Sequence, residues 1–529
     1  MKEKNKEQIL EELAEDLGID KKIESLSGIR KSIITKYNFD HFPSNKEIVQ
    51  LLPKEKQGTY TKLLKIKPIR TASGISIISV MTKPYSCPHG VCIFCPGGEK
   101  EGTPQSYMKT EPATMRAIEN EYDPKRQINS RIKQLQEIGH EVNKAEVIII
   151  GGTFMNLPKE YQINFVKECF DGLNSTESSN LPDAIKKAEN AKIRNVGLSI
   201  ETKPDWCKKD HVNLALDLGA TRLEIGVETL SDEIYKLTNR GHTLNDVYES
   251  FQIAKDSGYK IVAHMMPGLP GSNPEKDFDD FKDLFSNSLL KPDMLKIYPT
   301  LVVPNTGLYK LFKKGLYEPY NTETVVNLLA DVKKMVPTWM RIMRIQREIA
   351  KSDIVAGVTR GNIRELINSE CEKRGYKCRC IRCREIGIRN FKEKGLEINN
   401  NIKMEKTTYD SSGGKEIFLS YEDNKTDALI GFLRLRIPSK DAFRKEIDQN
   451  TSIVRELHVY GNMVPVGKIR NDEWQHKGFG KLLMKEAEKI SREEFSIKKI
   501  LVISAVGTRN YYKKLGYSLE GPYMAKKLI

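Results

Sequence analysis

The sequence predicts an α/β protein: a partial, six-stranded parallel (β/α)6 barrel, a smaller α/β domain behind it, and a short helical, basic region in front. Three observations predict this. Between residues 74 and 302, apolar runs at 75–81, 146–150, 195–200, 222–227, 260–266 and 294–297 alternate with longer segments of helical period, which implies a parallel sheet. Polar residues or glycines stand at the end of each run, where α/β barrels carry their function. From Lys415 onward, strand-like runs at 416–421, 428–437, 453–459 and 499–504 accompany an amphipathic helix. An open Rossmann-like sheet competes for the first unit, but its first turn lacks G-x-G-x-x-G. The expected divisions are a basic helical region over 1–70, the partial barrel over 71–360, a cysteine-rich basic linker over 361–395 and the second domain over 396–529.

Composition bounds the function. With 39 % hydrophobic and 30 % charged residues, the chain reads as globular and soluble. No apolar run is long enough to span a bilayer, so no membrane partner is expected. The charged, helical start lacks a signal-peptide core. Nine cysteines, mostly in clusters, point to metal binding in a reducing, cytoplasmic setting. The net charge of +15 is uneven: residues 21–70 hold 12 basic and 4 acidic side chains, and residues 360–395 hold 11 and 5. Such concentration suggests a polyanion, nucleic acid above all, against a merely solvated Lys-rich surface. Within the first segment, 45–52 reads as a helix stopped by Pro53. Lys62, Lys65, Lys67 and Arg70 follow as phosphate-binding candidates.

The chain is organised around P-Y-S-C-P-H-G-V-C-I-F-C-P-G-G, Pro84 to Gly98. Cys87, Cys92 and Cys95 stand at C-x4-C-x2-C, with no fourth cysteine in the next seventy residues. Structural zinc closes with four ligands. A [4Fe-4S] cluster on three thiolates keeps one iron open, as reductive cleavage of S-adenosylmethionine (SAM) requires. A zinc knuckle completed by His89 or a distant ligand is the alternative. Downstream, Gly151-Gly152 lets backbone approach the SAM amino group, against an ordinary βα turn. Glu201 and Glu228 could hold SAM amino or ribose groups, against helix capping. Lys296 and Tyr298 close the sixth run. After residue 302, Arg341, Arg344 and Arg347 at i, i+3, i+6 predict one helix face. Cys378, Cys380 and Cys383 then form C-x-C-x2-C, which predicts structural zinc with Cys371 or a remote His as fourth ligand, against free thiols on a helix. Arg374, Arg379, Arg382 and Arg384 around it would hold phosphate contacts rigidly. Residues 396–412 are polar and aperiodic, a linker or an edge strand.

In the second domain, Q-H-K-G-F-G-K-L-L-M (Gln475 to Met484) opens the amphipathic helix after a strand. Its turn presents free amides at a helix N-terminus, a site for pyrophosphate. With Asn510-Tyr511-Tyr512 and Leu515-Gly516-Tyr517 near the end, it fits the GNAT acetyltransferase arrangement, where the turn binds acetyl-CoA and a late Tyr serves as acid. Core packing is the alternative for Tyr511 and Tyr512.

The cysteine triplet followed by this domain resembles one family: the catalytic subunit 3 of the Elongator complex, archaeal type, tRNA uridine acetyltransferases that join radical SAM and GNAT domains. The resemblance covers nearly the whole chain. It rests on S-C-P-H-G-V-C-I-F-C-P-G-G, Q-S-Y-M-K-T-E-P-A-T-M-R-A, I-I-I-G-G-T-F-M, L-K-I-Y-P-T-L-V, E-L-H-V-Y-G, Q-H-K-G-F-G and V-G-T-R-N-Y-Y-K-K-L-G-Y. The first cysteine interval is shorter than in eukaryotic members, with the ligand count unchanged.

The resemblance implies modification of the tRNA wobble uridine at C5, with acetyl-CoA as carbon source and SAM as radical source. Cys87, Cys92 and Cys95 match the cluster ligands, and Lys144 a lysine contacting acetyl-CoA. Glu456, Leu457, His458 and Val459 match the strand lining the CoA arm. Phe479, Gly480 and Lys481 match the pyrophosphate turn, Tyr512 the tyrosine near the thioester, and Lys296 with Tyr298 the radical-site pair. C5 of uridine is a poor nucleophile, so a radical formed on the acetyl methyl group would add there, and water would release CoA to leave a carboxymethyl group. Elongator-type partner subunits or a homo-oligomer are the assemblies it leaves open. Two other functions stay open: a protein lysine acetyltransferase with a structural iron–sulfur barrel, and a tRNA-binding scaffold.

Overall fold

The structure, a computed structural model, describes residues 6–19, 26–43, 45–63, 68–393, 402–461 and 478–528. Four helices, Lys6–Asp16, Leu26–Tyr37, Asn45–Gln50 and Lys54–Leu63, come first. They enclose a small core of their own, with Leu13, Leu17, Ile29, Ile33, Ile48 and Tyr60 inside. Pro53 separates the third helix from the fourth, as its missing N–H and fixed φ require. Lys65 and Lys67 lie outside the described residues.

Seven parallel strands follow in sequential order: β1 (Ser76–Met81), β2 (Lys144–Ile150), β3 (Arg194–Thr202), β4 (Arg222–Glu228), β5 (Lys260–Met265), β6 (Met294–Ile297) and β7 (Arg341–Ile345). Strands one to six coincide with the six apolar runs. The seventh corrects the expectation of a helix carrying Arg341, Arg344 and Arg347. Arg341 and Arg344 are strand residues, and Arg347 follows the strand. Helix Thr322–Met335 ends at Val336-Pro337, and the next residues pair with β6. A three-residue spacing of cations is no helix signal when the apolar residues, here Ile342 and Ile345, face a sheet. β1 and β7 do not pair with each other, so the barrel is open along one side.

The second sheet runs β13-β14-β12-β11-β10-β9-β8. Its strands are β8 (Ile402–Ser411), β9 (Gly414–Asp423), β10 (Ala428–Ile437), β11 (Thr451–Val459), β12 (Lys499–Val502), β13 (Ser518–Glu520) and β14 (Tyr523–Lys527). β8 is the edge strand at the end of the polar 396–412 stretch. β11 and β12 are the parallel pair, joined only from Thr451–Lys499 to Val454–Val502, while β10 accompanies β11 as far as Val459. The tail of β11 therefore parts from β12 after Val454.

Strand alternation sorts this sheet into two unlike faces. Ile417, Leu419, Leu433, Leu435 and Val454 pack under helix Phe479–Glu493. The intervening Glu416, Arg434, Arg436 and Arg455 point the other way, and all four are buried. They meet the floor of the barrel, where strands begin. Arg455 grips Asp293, just before β6, at 2.5 and 2.9 Å, and donates to the Tyr259 carbonyl. Arg436 donates to Asp256 at 2.6 and 2.8 Å and to Glu416 at 2.8 Å. Arg434 reaches the Trp339 carbonyl and Glu456. Trp339 stacks on Tyr409 at 4.3 Å. Apolar residues of both units, Phe418, Phe432, Ile453 and Val506 among them, merge into one core.

Asp293 is the acceptor on which this seam converges, and Arg455, Lys255 and Arg434 hold its carboxyl well below the usual range despite burial. Asp293→Ala leaves buried guanidinium groups without their anion. The expected cost is about 3–5 kcal/mol, read as a lower denaturant midpoint; a loss within about 0.5 kcal/mol, as at ordinary surface positions, would show that Glu416 alone compensates Arg455.

Candidate active site

The cysteine loop lies above the C-terminal ends of the strands, held by the segment after helix Asp232–Leu237. Ile93 N–H donates to the Thr238 carbonyl, and Asn239 Nδ2 donates to the Val91 carbonyl at 3.0 Å. Cys92 and Cys95 are buried and Cys87 is half-buried. Hydrogen bonding from Cys95, with Arg240 and His89 nearby, holds the Cys92 thiol well below its usual range against the effect of burial. A single zinc ion, with Zn–S of about 2.3 Å, draws its thiolates to roughly 4 Å of one another. Among the described residues two groups of three metal-binding side chains converge within 4.8 Å, and this triplet is not one of them. His89 is already engaged through both ring nitrogens, at 3.2 Å from Cys92 Sγ and 3.0 Å from Lys203 Nζ. The three thiols do not all converge, although Cys95 bonds Cys92; three thiolates suit a cluster with one open iron, and the zinc alternative finds His89 already engaged.

Around the loop stand the strand-end residues. Gly151 has φ 129°, and a Cβ there would meet Thr82 Oγ1 at 2.2 Å, so only glycine fits. Its neighbour Gly152 lines the central cavity, whereas Gly151 does not. Glu228 sits at φ 73°, a strained value for a non-glycine residue. Burial pushes its carboxyl up to about 7, opposed by Arg240. Glu228 Oε1 lies 3.5 Å from Arg240, and the buried Oε2 has no hydrogen-bond partner among the described residues. An orphaned acceptor beside Gly152, Thr153 and Glu201 fits the amino and hydroxyl donors of SAM. Glu201 accepts from Tyr107 Oη at 2.6 Å, and burial raises its carboxyl.

Deeper in the lumen lies a buried charge chain. Glu224 pairs with Lys296, lies 3.2 Å from His264 Nε2 and 3.5 Å from Arg222, and Arg222 also pairs with Glu146. Burial alone would lower Lys296, but Glu224 holds it above its usual value. Burial pushes His264 down to about 4, so it stays neutral. Tyr298 stands edge-on to His264, ring centroids 5.5 Å apart. Glu224, His264 and Arg222 were not singled out from sequence. The available signal was Arg222, Glu224, Gly226 and Glu228 at period two inside a buried parallel strand, where apolar residues are the rule.

One cavity of about 950 Å3 joins these parts. It extends from Cys87, Cys92 and Cys95 past Glu228, Glu201 and Lys296 to Glu456, His458 and Tyr460 of the second domain. His458 Nε2 donates to the Ser73 carbonyl, and Arg341 bonds both Glu385 and Tyr460 Oη, closing the seam at the floor. Leu457 and Val459 alternate with His458 on β11 and do not line the cavity, nor does Lys144, whose ammonium burial pushes down to about 8.

At the glycine turn, Gly478 takes the left-handed conformation (φ 91°) and opens helix Phe479–Glu493; Gln475 to Lys477 lie outside the described residues. Tyr421 packs on Phe479, and a Cβ on Gly480 would lie 2.8 Å from Tyr511 Oη and 3.8 Å from Leu457. Lys481 is exposed on the first turn. Turn, β11 and Tyr511 thus share one locality, and the first-turn amides have no partner within the helix. Tyr512 turns inward, among Leu483, Met484 and Tyr517.

The second cysteine group converges: Cys378, Cys380 and Cys383 lie within 4.8 Å. Cys371 is not among them; its thiol bonds Tyr376. Nor do three of the four arginines stand free as expected. Arg374 pairs with Asp331 and Glu370, Arg379 with Asp427, and Arg384 with Glu422 and Asp427. Arg382 alone lines the cavity.

Four family models match in succession: the ELP3 N-terminal domain at residues 3–72, the Radical SAM superfamily at 82–285, the Radical_SAM C-terminal domain at 292–373 and the Acetyltransferase (GNAT) family at 388–517. A tRNA uridine(34) acetyltransferase of Methanocaldococcus jannaschii is 49 % identical over 92 % of this chain and 90 % of its own. Human Elongator complex protein 3 is 46 % identical over 95 % and 93 %. The solved structure of Methanocaldococcus infernus Elp3, lacking residues 1–46, aligns with TM-score 0.77 at 45 % identity, covering 86 % of this chain and all of that one. With both domains, their order and the whole length accounted for, the chain belongs to the Elp3 family.

Proposed function

We propose that the protein is a tRNA-modifying acyltransferase that places a carboxymethyl group on C5 of the wobble uridine, using acetyl-CoA and a SAM-derived radical. The observation that carries this reading is the single cavity lined by both the cysteine loop and Glu456, His458 and Tyr460. A protein lysine acetyltransferase with an idle barrel has no need for its acyl site to open into a lumen of buried charges. The cluster, held by Cys87, Cys92 and Cys95, supplies with SAM the radical that an unreactive methyl carbon requires. The chain's own residues do the rest. Glu228 and Glu201 accept hydrogen bonds from SAM, with Gly152 leaving room for it. Glu224 fixes the Lys296 ammonium in the lumen beside Tyr298, directed at the base. The β11 tail and the first turn at Gly480 and Lys481 hold the CoA arm.

Support for an RNA substrate lies on the open side of the barrel. Arg70, Arg116, Arg131, Arg364 and Arg382 line the cavity and form no carboxylate pair among the described residues. Arg116 donates to the Ser79 carbonyl of β1 and Arg364 to the Ile342 carbonyl of β7, so arginines stand on both unpaired edges. Burial and neighbouring guanidinium groups push Arg116 and Arg382 down to about 10. Mutually repelling, half-buried cations are relieved by an anion with several charges, as a phosphodiester strand offers. Cys378, Cys380 and Cys383 hold zinc in this reading, and they sit against the same edge: Ile381 N–H donates to the Met340 carbonyl, and Ile342 to Cys380.

Incubation of the protein with tRNA, SAM, acetyl-CoA and a strong reductant should yield a carboxymethylated uridine by nucleoside mass spectrometry; unmodified tRNA alongside acetylated protein would sink the reading. In the same assay Tyr511→Phe should lose tRNA-dependent CoA release by ~10²-fold or more, the cost of a positioned acid, with Tyr512→Phe near wild type; the reverse order would move the role to Tyr512. Replacing Arg116, Arg131 and Arg382 with Gln should flatten the salt dependence of tRNA affinity by up to about one log–log unit per lost phosphate contact, and an unchanged slope would mean the strand passes elsewhere. Metal analysis should find zinc in the purified protein, lost in Cys380→Ser with the iron retained; equal zinc in both would remove the assignment.

A further inference from the structure

His89 stands in the cysteine loop, three residues before Cys92, and neither the acyl site nor the RNA-binding edge uses it. Its surroundings determine its tautomer. Lys203, directly after β3, is buried, and its Nζ lies 3.0 Å from His89 Nδ1 and 3.3 Å from Asp205 Oδ2. Burial and Arg240 lower the Lys203 ammonium from its usual range while the Asp205 carboxylate opposes them; an ammonium carries three donors and no acceptor. Nδ1 of His89 must therefore accept, which leaves the ring proton on Nε2. That N–H points at Cys92 Sγ, 3.2 Å away.

The ring is seated, not loose. Gly241 has φ 70°, and a Cβ there would meet His89 Cβ at 2.5 Å and Cγ at 3.0 Å, so the close approach is possible only at glycine. The adjacent Arg240 brings Nη1 to 3.6 Å from the same sulfur, while its other nitrogen holds the Gly226 carbonyl at 2.6 Å. Cys92 thus faces two cationic or proton-donating neighbours from two sides. Cys87 and Cys95 take side-chain hydrogen bonds from the hydroxyls of Thr153 and Ser106, with Lys203 and Arg240 acting on Cys87 through charge alone.

Resting on the reading of the triplet as cluster ligands, we propose that the relay Asp205–Lys203–His89 is a positioning device that aims an N–H at the Cys92 sulfur to raise the reduction potential of the cluster. The relevant step is a one-electron reduction of the oxidised cluster by an external low-potential donor. The added electron increases negative charge on the ligand sulfurs, and a hydrogen bond to sulfur stabilises that reduced state more than the oxidised one. The relay gains its strength from order: without Lys203 the imidazole can place its proton on Nδ1 and present a lone pair to the sulfur instead.

The test is a redox titration of reconstituted protein, without SAM or tRNA, following the electron paramagnetic resonance signal of the reduced cluster. His89→Leu removes the donor and should lower the reduced-to-oxidised ratio at fixed potential at least tenfold, about 59 mV for a one-electron couple. His89→Gln keeps an N–H at similar reach and should recover most of that loss. Lys203→Met leaves the loop sequence intact and should shift the potential in the same direction as His89→Leu. Equal potentials for wild type, His89→Leu and Lys203→Met at matched iron content would overturn the proposal. Should His89→Leu fail to assemble a cluster, Lys203→Met decides: a more negative potential supports the relay, and an unchanged one overturns it. A wild-type protein that shows no reduced-cluster signal would instead overturn the cluster reading, and the relay with it.

Discussion

The grip of Asp293 on Arg455, with Arg436 on Asp256 beside it, is the constraint on which the rest depends. All four side chains are fully buried. Buried ion pairs of this kind add little net stability, since desolvation takes back most of the Coulomb gain. What they do is fix register. A sheet that offers Glu416, Arg434, Arg436 and Arg455 on one face can dock only where carboxylates and carbonyls answer each of them. The answering groups, Asp256, Asp293 and the carbonyls of Tyr259 and Trp339, all sit at strand beginnings on the barrel floor. A slide of one residue along β10 would turn its arginines into the apolar layer under helix Phe479–Glu493.

From that docking follows the position of the β11 tail. Because β12 stops pairing at Val454, Glu456, His458 and Tyr460 run on beneath the barrel, where Ser73, Glu385 and Arg341 receive them. Closed α/β barrels fill their interior with layers of branched apolar side chains. This one is open between β1 and β7, and its lumen holds Glu146, Arg222, Glu224, His264 and Lys296 instead. A dry apolar plug would separate the two ends of the barrel; a paired set of charges leaves a polar passage between them. The radical chemistry expected at the top and the acyl group expected at the floor then have a common space in which to meet.

Much of this was legible in the chain. Six of the seven barrel strands were visible as apolar runs, because parallel strands buried on both faces carry a signal that needs no partner to interpret. The cysteine spacing, the strand-end Glu201, Glu228, Lys296 and Tyr298, and the Gly478–Lys481 turn were equally local. What stayed hidden depends on contacts across the chain. β7 carries only Ile342 and Ile345 as core residues, so its arginines dominate the pattern. Leu433-Arg434-Leu435-Arg436 reads as a half-exposed strand, with solvent as the natural place for the arginines, and only the second domain's docking buries them. Arg379 and Arg384 looked free because their carboxylate partners, Asp427 and Glu422, lie 48 and 38 residues away, whereas the Glu370 partner of Arg374 was local and went unread.

The distribution of satisfied and unsatisfied charge separates architecture from function. Among the described residues, Arg434, Arg436 and Arg455 at the floor each pair with a carboxylate of the fold itself. Along the open edge, Arg116, Arg131, Arg364 and Arg382 pair with no carboxylate among the described residues; Arg131 repels Arg116 and Arg364 repels Arg382, and Arg364 Nη1 and Arg116 Nε have no described acceptor. A fold tolerates that arrangement only if the strands bearing it are held by other means. β7 is held from behind by the Cys378–Cys383 loop and by Glu385, and β1 by its pairing with β2. The same logic marks Glu228, a strained residue whose Oε2 has no hydrogen-bond partner among the described residues. Unpaired groups held on rigid elements are preorganised for a ligand, and their reorganisation cost is met during folding instead of during binding.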